Sequence, residues 1–167
     1  MEILDEPHVA ERAEIPYLGI RCVTPFRGML SQRDKLLAEL SGWLSRNDGA
    51  QAGPLFLRLH VIDMNGPMDL EVGAITEKPM NGDERVRPGL LPAGRYATMT
   101  YRDHARRANR HLIDWAAANG HVFDRRDDPA GDLFVCRYEA YRTDPRTEPR
   151  KTKWAVELNI LLATPEA

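Results

Sequence analysis

The sequence predicts an α+β protein in which a strand–helix–strand–strand unit is written twice, related by a pseudo-twofold axis, with a central cleft between the copies. Three observations predict it. Similar segments open the two halves, Ile15-Pro16-Tyr17-Leu18-Gly19-Ile20-Arg21 and Leu91-Pro92-Ala93-Gly94-Arg95-Tyr96-Ala97. Each leads into a helical stretch carrying one tryptophan, Trp43 or Trp115. Each half then closes on two apolar runs: Leu55-Phe56-Leu57 with Asp69-Leu70-Glu71-Val72-Gly73, and Leu133-Phe134-Val135 with Ala155-Val156-Glu157-Leu158-Asn159. A small sheet with one apolar face needs a partner to bury it, and a chain with two copies supplies its own. Seams of this kind are natural small-molecule sites.

Taken in order, Val9 to Val23 reads as one long strand bent at Pro16, because proline is tolerated at an edge or bulge. Thr24 to Gly28 is a turn. From Leu30 to Asn47, Leu30, Leu36, Leu37, Leu40, Trp43 and Leu44 fall three and four apart and form one helical stripe. Asn47-Asp48-Gly49 ends that helix with residues that tolerate the left-handed conformation. Leu55 to Ile62 is a strand, Asp63 to Pro67 a turn, and Met68 to Thr76 a strand with Met68, Leu70, Val72 and Ala74 on one face.

Residues 77–89, with Pro79, Gly82 and a concentration of charge, read as the linker between repeats spanning about 9–76 and 90–163 within a single domain. Gly94 to Tyr101 starts the second copy. Asp103 is the expected N-cap of a helix running to Asn119 and stopped by Gly120, with Ala108, Leu112, Trp115 and Ala116 buried. Asp124 to Asp132 reads as a polar loop, and Leu133 to Tyr141 and Lys153 to Ala163 as the last two strands. The helices are expected on one sheet face, leaving the seam open on the other.

Composition narrows the function. The 167 residues are 43% hydrophobic with a formal net charge of −2, which suits a globular domain with both signs of charge mixed. No segment approaches the ~20 apolar residues of a membrane span. Met1 to Ala10 carries Glu2, Asp5 and Glu6 and no apolar core, so it does not read as a signal peptide, and a cytoplasmic location is expected. There is no helix-turn-helix segment and no general basic excess, so direct DNA binding is not expected. The basic run from Arg146 to Lys153 is interrupted by Pro149 and reads as an exposed loop.

Cys22 and Cys136 form no Cys-x-x-Cys pair and read as reduced thiols. His104 and His111, with Asp114 nearby, fall short of a converging metal set. Neither a Gly-rich phosphate loop nor a Gly-x-Ser-x-Gly turn is present, and neither metal nor cofactor is expected.

Glu157 is the outstanding candidate for a functional role. It lies in Trp154-Ala155-Val156-Glu157-Leu158-Asn159-Ile160-Leu161-Leu162, the most apolar strand. Alternation puts Trp154, Val156, Leu158 and Ile160 toward the helices and Ala155, Glu157 and Asn159 toward the seam. A carboxylate in a partly dry cleft takes a proton or finds a cation. Glu71 holds the matching place in the first copy. Both acids are equally compatible with solvated positions on half-exposed strands.

Phe56, Tyr96, Tyr101, Phe134, Tyr138 and Tyr141 fall in strands. Each suits either core packing or contact with an organic cation, the latter worth roughly 0.5–2 kcal/mol. Tyr138 and Tyr141 are three apart and face opposite ways in a regular strand. His60 shares a face with Phe56 and Arg58.

The chain resembles the GyrI-like domain, the effector-binding fold of multidrug-sensing bacterial regulators. The resemblance runs from about Val9 to Leu162. It is carried by Ile15-Pro16 with Gly19, Leu91-Pro92-Ala93-Gly94-Arg95-Tyr96, the Trp-bearing helices, Tyr141-Arg142-Thr143-Asp144-Pro145 and Val156-Glu157-Leu158-Asn159-Ile160. It implies tandem units around a cleft in which the acid matching Glu157 meets polar or cationic organic ligands among aromatics, Tyr141 included. Many relatives carry this domain behind a DNA-binding segment, so a stand-alone member is expected here. The turns Pro25-Phe26-Arg27-Gly28 and Tyr101-Arg102-Asp103-His104 replace the Gly-Pro-Tyr-like turns of relatives, and Asn159 stands where an aromatic is frequent.

These readings lead first to a protein that binds a small aromatic molecule, cations included, with Glu157, Tyr141, Tyr101, Phe56, His60, Tyr138 and Asn159 as ligand contacts. The resemblance leaves two alternatives open. One is a hydrolase of reactive, cyclopropane-bearing natural products, with Glu157 as general base helped by Tyr141 or His60. The other is a protein-interaction role such as gyrase modulation.

Overall fold

The computed structural model describes residues 1–47 and 50–165. Strands β1 (Glu2–Arg12) and β2 (Ile15–Pro25) lead into helix α1 (Met29–Arg46), followed by β3 (Leu55–Ile62) and β4 (Pro67–Ile75). Strands β5 (Arg87–Leu91) and β6 (Gly94–Arg102) lead into α2 (Ala105–Ala118). After it come β7 (Arg125–Asp128), β8 (Gly131–Phe134), β9 (Arg137–Tyr141) and β10 (Val156–Leu161). Eight strands lie in the order β1-β6-β10-β9-β3-β4-β2-β5, and β7 and β8 form a side branch on β3. The α+β class and the doubled unit are both present.

Register exposes the pseudo-twofold axis between β3 and β9, where Leu57 faces Glu139. Phe56 lies opposite Gly73 on β4 as Tyr138 lies opposite Asn159 on β10. Arg58 lies opposite Glu71 as Ala140 lies opposite Glu157. Tyr17 lies opposite Ile75 as Tyr96 lies opposite Leu161. Outermost come β5, which precedes β6 in the chain yet pairs with β2, and β1, which precedes β2 yet pairs with β6. The halves have exchanged their first strands.

That exchange corrects the expectation of one strand from Val9 to Val23. The chain breaks at Ala13-Glu14, and Glu2–Arg12 crosses to the far edge of the sheet. Pro7 sits there within the register shift between Asp5 and His8, on an edge where a missing N–H costs least. The end of the expected linker is likewise the start of β5. The expected polar loop at 124–132 is the β7–β8 hairpin, clamped by Arg125 Nε donating to Asp132 Oδ1 at 2.5 Å. The strand expected from Leu133 to Tyr141 is broken at Val135-Cys136, because β8 pairs with β7 while β9 pairs with β10.

Both helices cover one sheet face. α1 packs on β2 and β4, and α2 on β6, around a core that joins Leu36, Leu40 and Leu112 to Ile20, Val72, Met99 and Leu158. Burying a leucine fully contributes about 1.5–3 kcal/mol, so this stripe is what holds α1 down. The stripe is as expected at Leu36, Leu37, Leu40 and Leu44, but Leu30 is 50% exposed and Arg33 is buried instead. Asn47 ends α1; Asp48 and Gly49, read as part of the same stop, lie outside the described residues.

Asp103 does not cap α2. The helix starts after His104, and both residues are left-handed, at φ 61 and 64. The Asp103 carboxylate accepts the His104 N–H at 2.9 Å instead. The first half has Gly28 as N-cap in the same region at φ 88. No helix among the described residues is long and apolar enough to cross a membrane.

Candidate functional site

The helix-free face of the sheet carries most of the candidate residues. Alternation along β10 sends Val156, Leu158 and Ile160 into the helix-covered core and Glu157 to the other side. Beside Glu157 on that side runs a row of four rings. Tyr17 meets Phe56 edge-on at 4.9 Å, Phe56 meets Tyr138 at 5.8 Å, and Tyr138 meets Tyr96 at 6.0 Å. These rings form a second core with Leu91, Cys136 and Leu161. Glycine makes the first half of the row fit. A Cβ on Gly73 would lie 2.2 Å from the Phe56 ring, and one on Gly89 would lie 2.4 Å from Tyr17. Burial pushes Tyr17 and Tyr96 well above the usual tyrosine range and Tyr138 up to about 12, so all three hydroxyls stay protonated at neutral pH.

The two acids of this face have different neighbours. Glu71 is 6% exposed; its Oε1 accepts from the Tyr17 hydroxyl at 2.7 Å and lies 2.9 Å from His60 Nε2. Burial raises its pKa, but the His60 and Tyr17 hydrogen bonds outweigh that and hold it below the usual carboxylate range. Arg58 closes this end. It donates to the Tyr17 hydroxyl at 3.1 Å, to the Leu90 carbonyl at 3.0 Å and to the Val135 carbonyl at 2.9 Å.

Glu157 is bound differently. Its Oε1 accepts from Arg12 at 3.4 Å and from Asn159 Nδ2 at 3.0 Å, and its Oε2 accepts from Arg142. The Glu157 side chain is 12% exposed, whereas Arg142 is 47% exposed. Asn159 is fully buried, and its Oδ1 has no partner.

A cleft of about 230 Å³ opens at the end of the seam where β3 meets β9. Leu55, Tyr141, Arg142, Asp144 and Arg146 are among its lining residues. Arg142 therefore borders both the cleft and Glu157.

The structure brings together Glu157, Asn159, Tyr138, Phe56 and His60 on one face, with His60 serving Glu71 rather than Glu157. Tyr101 and Tyr141 belong to the opposite, helix-covered core. The Tyr141 hydroxyl donates to Glu139 at 2.6 Å, and Arg33 stacks against the Tyr141 and Trp154 rings at 5.6 and 5.3 Å. Tyr141 still borders the cleft at its strand end, but Glu157, Tyr141 and His60 do not form one cluster. Sequence reasoning missed Arg12, Arg58 and Arg142. Arg58 was legible from its alternation with Phe56 and His60, whereas Arg12 was hidden by the strand exchange. Among the described residues no group of three or more His, Cys, Asp or Glu is placed to hold a metal.

A search of curated proteins finds no match. Among solved structures, the C-terminal domain of EcmrR superposes with a TM-score of 0.72 at 16% identity, over 98% of this chain and 100% of that one. In the EcmrR–DNA complex the same likeness spans 59% of the longer EcmrR chain. SAV2435, solved with tetraphenylphosphonium bound, matches at TM-score 0.61 and 10% identity over 95% of this chain and 94% of that one. A hydrolase encoded by lin2189 from Listeria innocua matches at TM-score 0.59 and 12% identity over 96% and 93%. A profile of the GyrI-like small molecule binding domain matches residues 5–162. The chain belongs to the GyrI-like small molecule binding domain family.

Proposed function

We propose that this chain binds a small aromatic organic molecule in the cleft at the end of the seam between β3 and β9, and thereby senses or sequesters it. The observation that carries this is the nearly buried Glu157 carboxylate, tied to a half-exposed Arg142 that also borders an open cleft. A polar anchor of that kind beside apolar and aromatic walls is the usual makeup of a small-molecule site. The family assignment supports it, as does a relative of the same fold solved with an aromatic ligand.

Calorimetric titration with planar aromatic probes tests the site. Binding that changes on Glu157→Gln, in either direction, and is unmoved by Tyr101→Phe in the opposite core supports the seam. Affinities identical in wild type and Glu157→Gln would remove it.

A second reading, hydrolysis, draws on the His60–Glu71 pair, since a carboxylate that orients a histidine is a common form of general base. Glu157 is a poor base here because both its oxygens already accept from donors of the chain. Turnover of an electrophilic substrate that disappears with His60→Ala, while substrate binding persists, would put hydrolysis first.

A further inference from the structure

We propose that Arg33 fills, from within the chain, a site built to hold an organic cation, and that it is the residue that denies this site to cationic ligands. The site lies on the helix-covered face, where α1 meets the end of β9. The proposal stands whether or not the cleft at the seam end holds a ligand.

Arg33 departs from the rest of its helix. α1 turns a leucine stripe to the sheet, and within the same buried surface it carries a guanidinium only 5% exposed. A charge that deep persists only where it is paired. Here it sits in a cage. Its Cζ lies 5.6 Å from the centre of the Tyr141 ring and 5.3 Å from that of Trp154, and the two rings meet edge-on at 5.3 Å. Glu139, whose side chain is 15% exposed, places Oε1 3.9 Å from a terminal nitrogen of Arg33. The Tyr141 hydroxyl links the two, donating to Glu139 at 2.6 Å and accepting from Arg33 at 3.4 Å. Aromatic rings beside a carboxylate are a common way of recognising a desolvated ammonium or guanidinium.

The contacts inside the cage are ones another cation can reproduce. Separations of 3.4 and 3.9 Å exceed the roughly 2.7–3.2 Å of an aimed N–H···O bond, so charge and ring contact hold the guanidinium there. Its shorter bonds run to its neighbour on α1: Nε and a terminal nitrogen donate to Asp34 at 3.1 and 3.0 Å. Asp34 also accepts from Lys151, so it keeps a cation when Arg33 is removed.

Glu139 has no such reserve. Arg137, two residues away on β9, donates to Asn109 at 2.9 Å and lies over the Phe134 ring at 4.8 Å; its attraction to Glu139 acts across space. Without the Arg33 guanidinium, a nearly buried carboxylate is left beside two rings with no bonded cation, a costly state that a small cation relieves. Tyr141 also borders the cleft, so a cation entering there meets a ring whose cation is already in place.

Arg33→Ala deletes the side chain beyond Cβ, and the deleted fragment corresponds to ethylguanidinium. The test is thermal unfolding of the full chain with ethylguanidinium and with its neutral isostere, ethylurea. Ethylguanidinium is expected to raise the midpoint of Arg33→Ala by about 3 °C more than that of wild type, and ethylurea to raise neither. Calorimetry should show ethylguanidinium binding Arg33→Ala at least about tenfold more tightly than wild type. Glu139→Gln in the Arg33→Ala background should abolish both responses.

Equal responses of wild type and Arg33→Ala would overturn the proposal. So would an equal effect of ethylurea, which would make the space a cavity rather than a cation site, or a response that survives Glu139→Gln. If Arg33→Ala shows no cooperative transition by itself, a transition restored by ethylguanidinium and not by ethylurea supports the proposal, and none restored overturns it.

Discussion

Glu71 and Glu157 occupy equivalent places in the two halves, yet Glu71 stands opposite Arg58 on its neighbouring strand while Glu157 stands opposite Ala140. That one difference divides the labour of the face. Arg58 is long enough to fill the first half, reaching Tyr17 and the carbonyls of Leu90 and Val135. With alanine at the matching place, the second half is left to Arg12, Arg142 and Asn159, all bonded to Glu157. The first half is built as a closed polar core, and the second as an ion-pair network around Glu157. The two halves share a scaffold and differ at Arg58/Ala140 and Gly73/Asn159.

Glu71 should behave as a structural acid. Breaking its charged hydrogen bonds with Tyr17 and His60 by Glu71→Gln is expected to cost about 2–3 kcal/mol at pH 7, measured by urea unfolding. The folded-state pKa is depressed, so the acid's contribution is fully present above its unfolded value of about 4.3 and is lost as pH falls through the lower folded value. The stability gap between wild type and variant should therefore close on acidification below about pH 4.3. A gap that persists unchanged at pH 2 would show that the charge of Glu71 is not what stabilises.

Gly73 is required by the ring that lies over it. With a new Cβ 2.2 Å from Cζ of Phe56, Gly73→Ala forces that fully buried ring to shift and disturbs the row through Tyr17 and Tyr138. Overpacking of this kind typically costs 1–3 kcal/mol, so a loss of about 2 kcal/mol is expected. Phe56→Leu in the Gly73→Ala background should recover part of it, because the flat ring is replaced by a shorter side chain. Additive losses in the double variant would argue against this contact as the cause.

The parts of the molecule that were legible in sequence are those where periodicity alone decides the outcome. The α1 stripe at Leu36, Leu37, Leu40 and Leu44 and the strand from Leu55 to Ile62 are of this kind. Alternation likewise put Glu157 and Asn159 on the face opposite Leu158. What could not be read was pairing between distant segments. Nothing local in Glu2–Arg12 says that it leaves its own half to pair with β6, so Arg12 was absent from the expected site. Tyr101 and Tyr141 were misplaced because an aromatic in a strand suits either face, and only the register with Val156 shows which. The face of Glu157 was legible, whereas the arginines that bind its carboxylate were not.

The start of α2 stores strain that can be removed. Asp103 and His104 are consecutive left-handed residues, a conformation that disfavours side chains with a Cβ, and His104 makes no side-chain cap. Glycine adopts that backbone freely and is acceptable at an N-cap. His104→Gly is therefore expected to stabilise the fold by about 0.5–1 kcal/mol, after the added freedom of the unfolded chain is deducted. Thermal unfolding measures this, and a destabilised variant would mean that the histidine side chain contributes more than its backbone strain costs.

The two cysteines should report on local opening at different depths. Cys136 is 1% exposed within the ring row, and burial raises its thiol pKa, so little reactive thiolate is available in the folded state. Cys22 is only partly buried on β2, though burial and the nearby Asp69 raise its pKa as well. With a disulfide reagent at pH 8, Cys22 should react first, and Cys136 should be labelled only when the seam opens or the chain unfolds. A ligand held at the seam end should slow labelling of Cys136 and leave Cys22 unchanged, since Cys22 is packed against the core on the other face. Equal protection of both would mean that the ligand acts by stabilising the whole fold, while faster labelling of Cys136 on ligand addition would mean that binding pries the ring row apart.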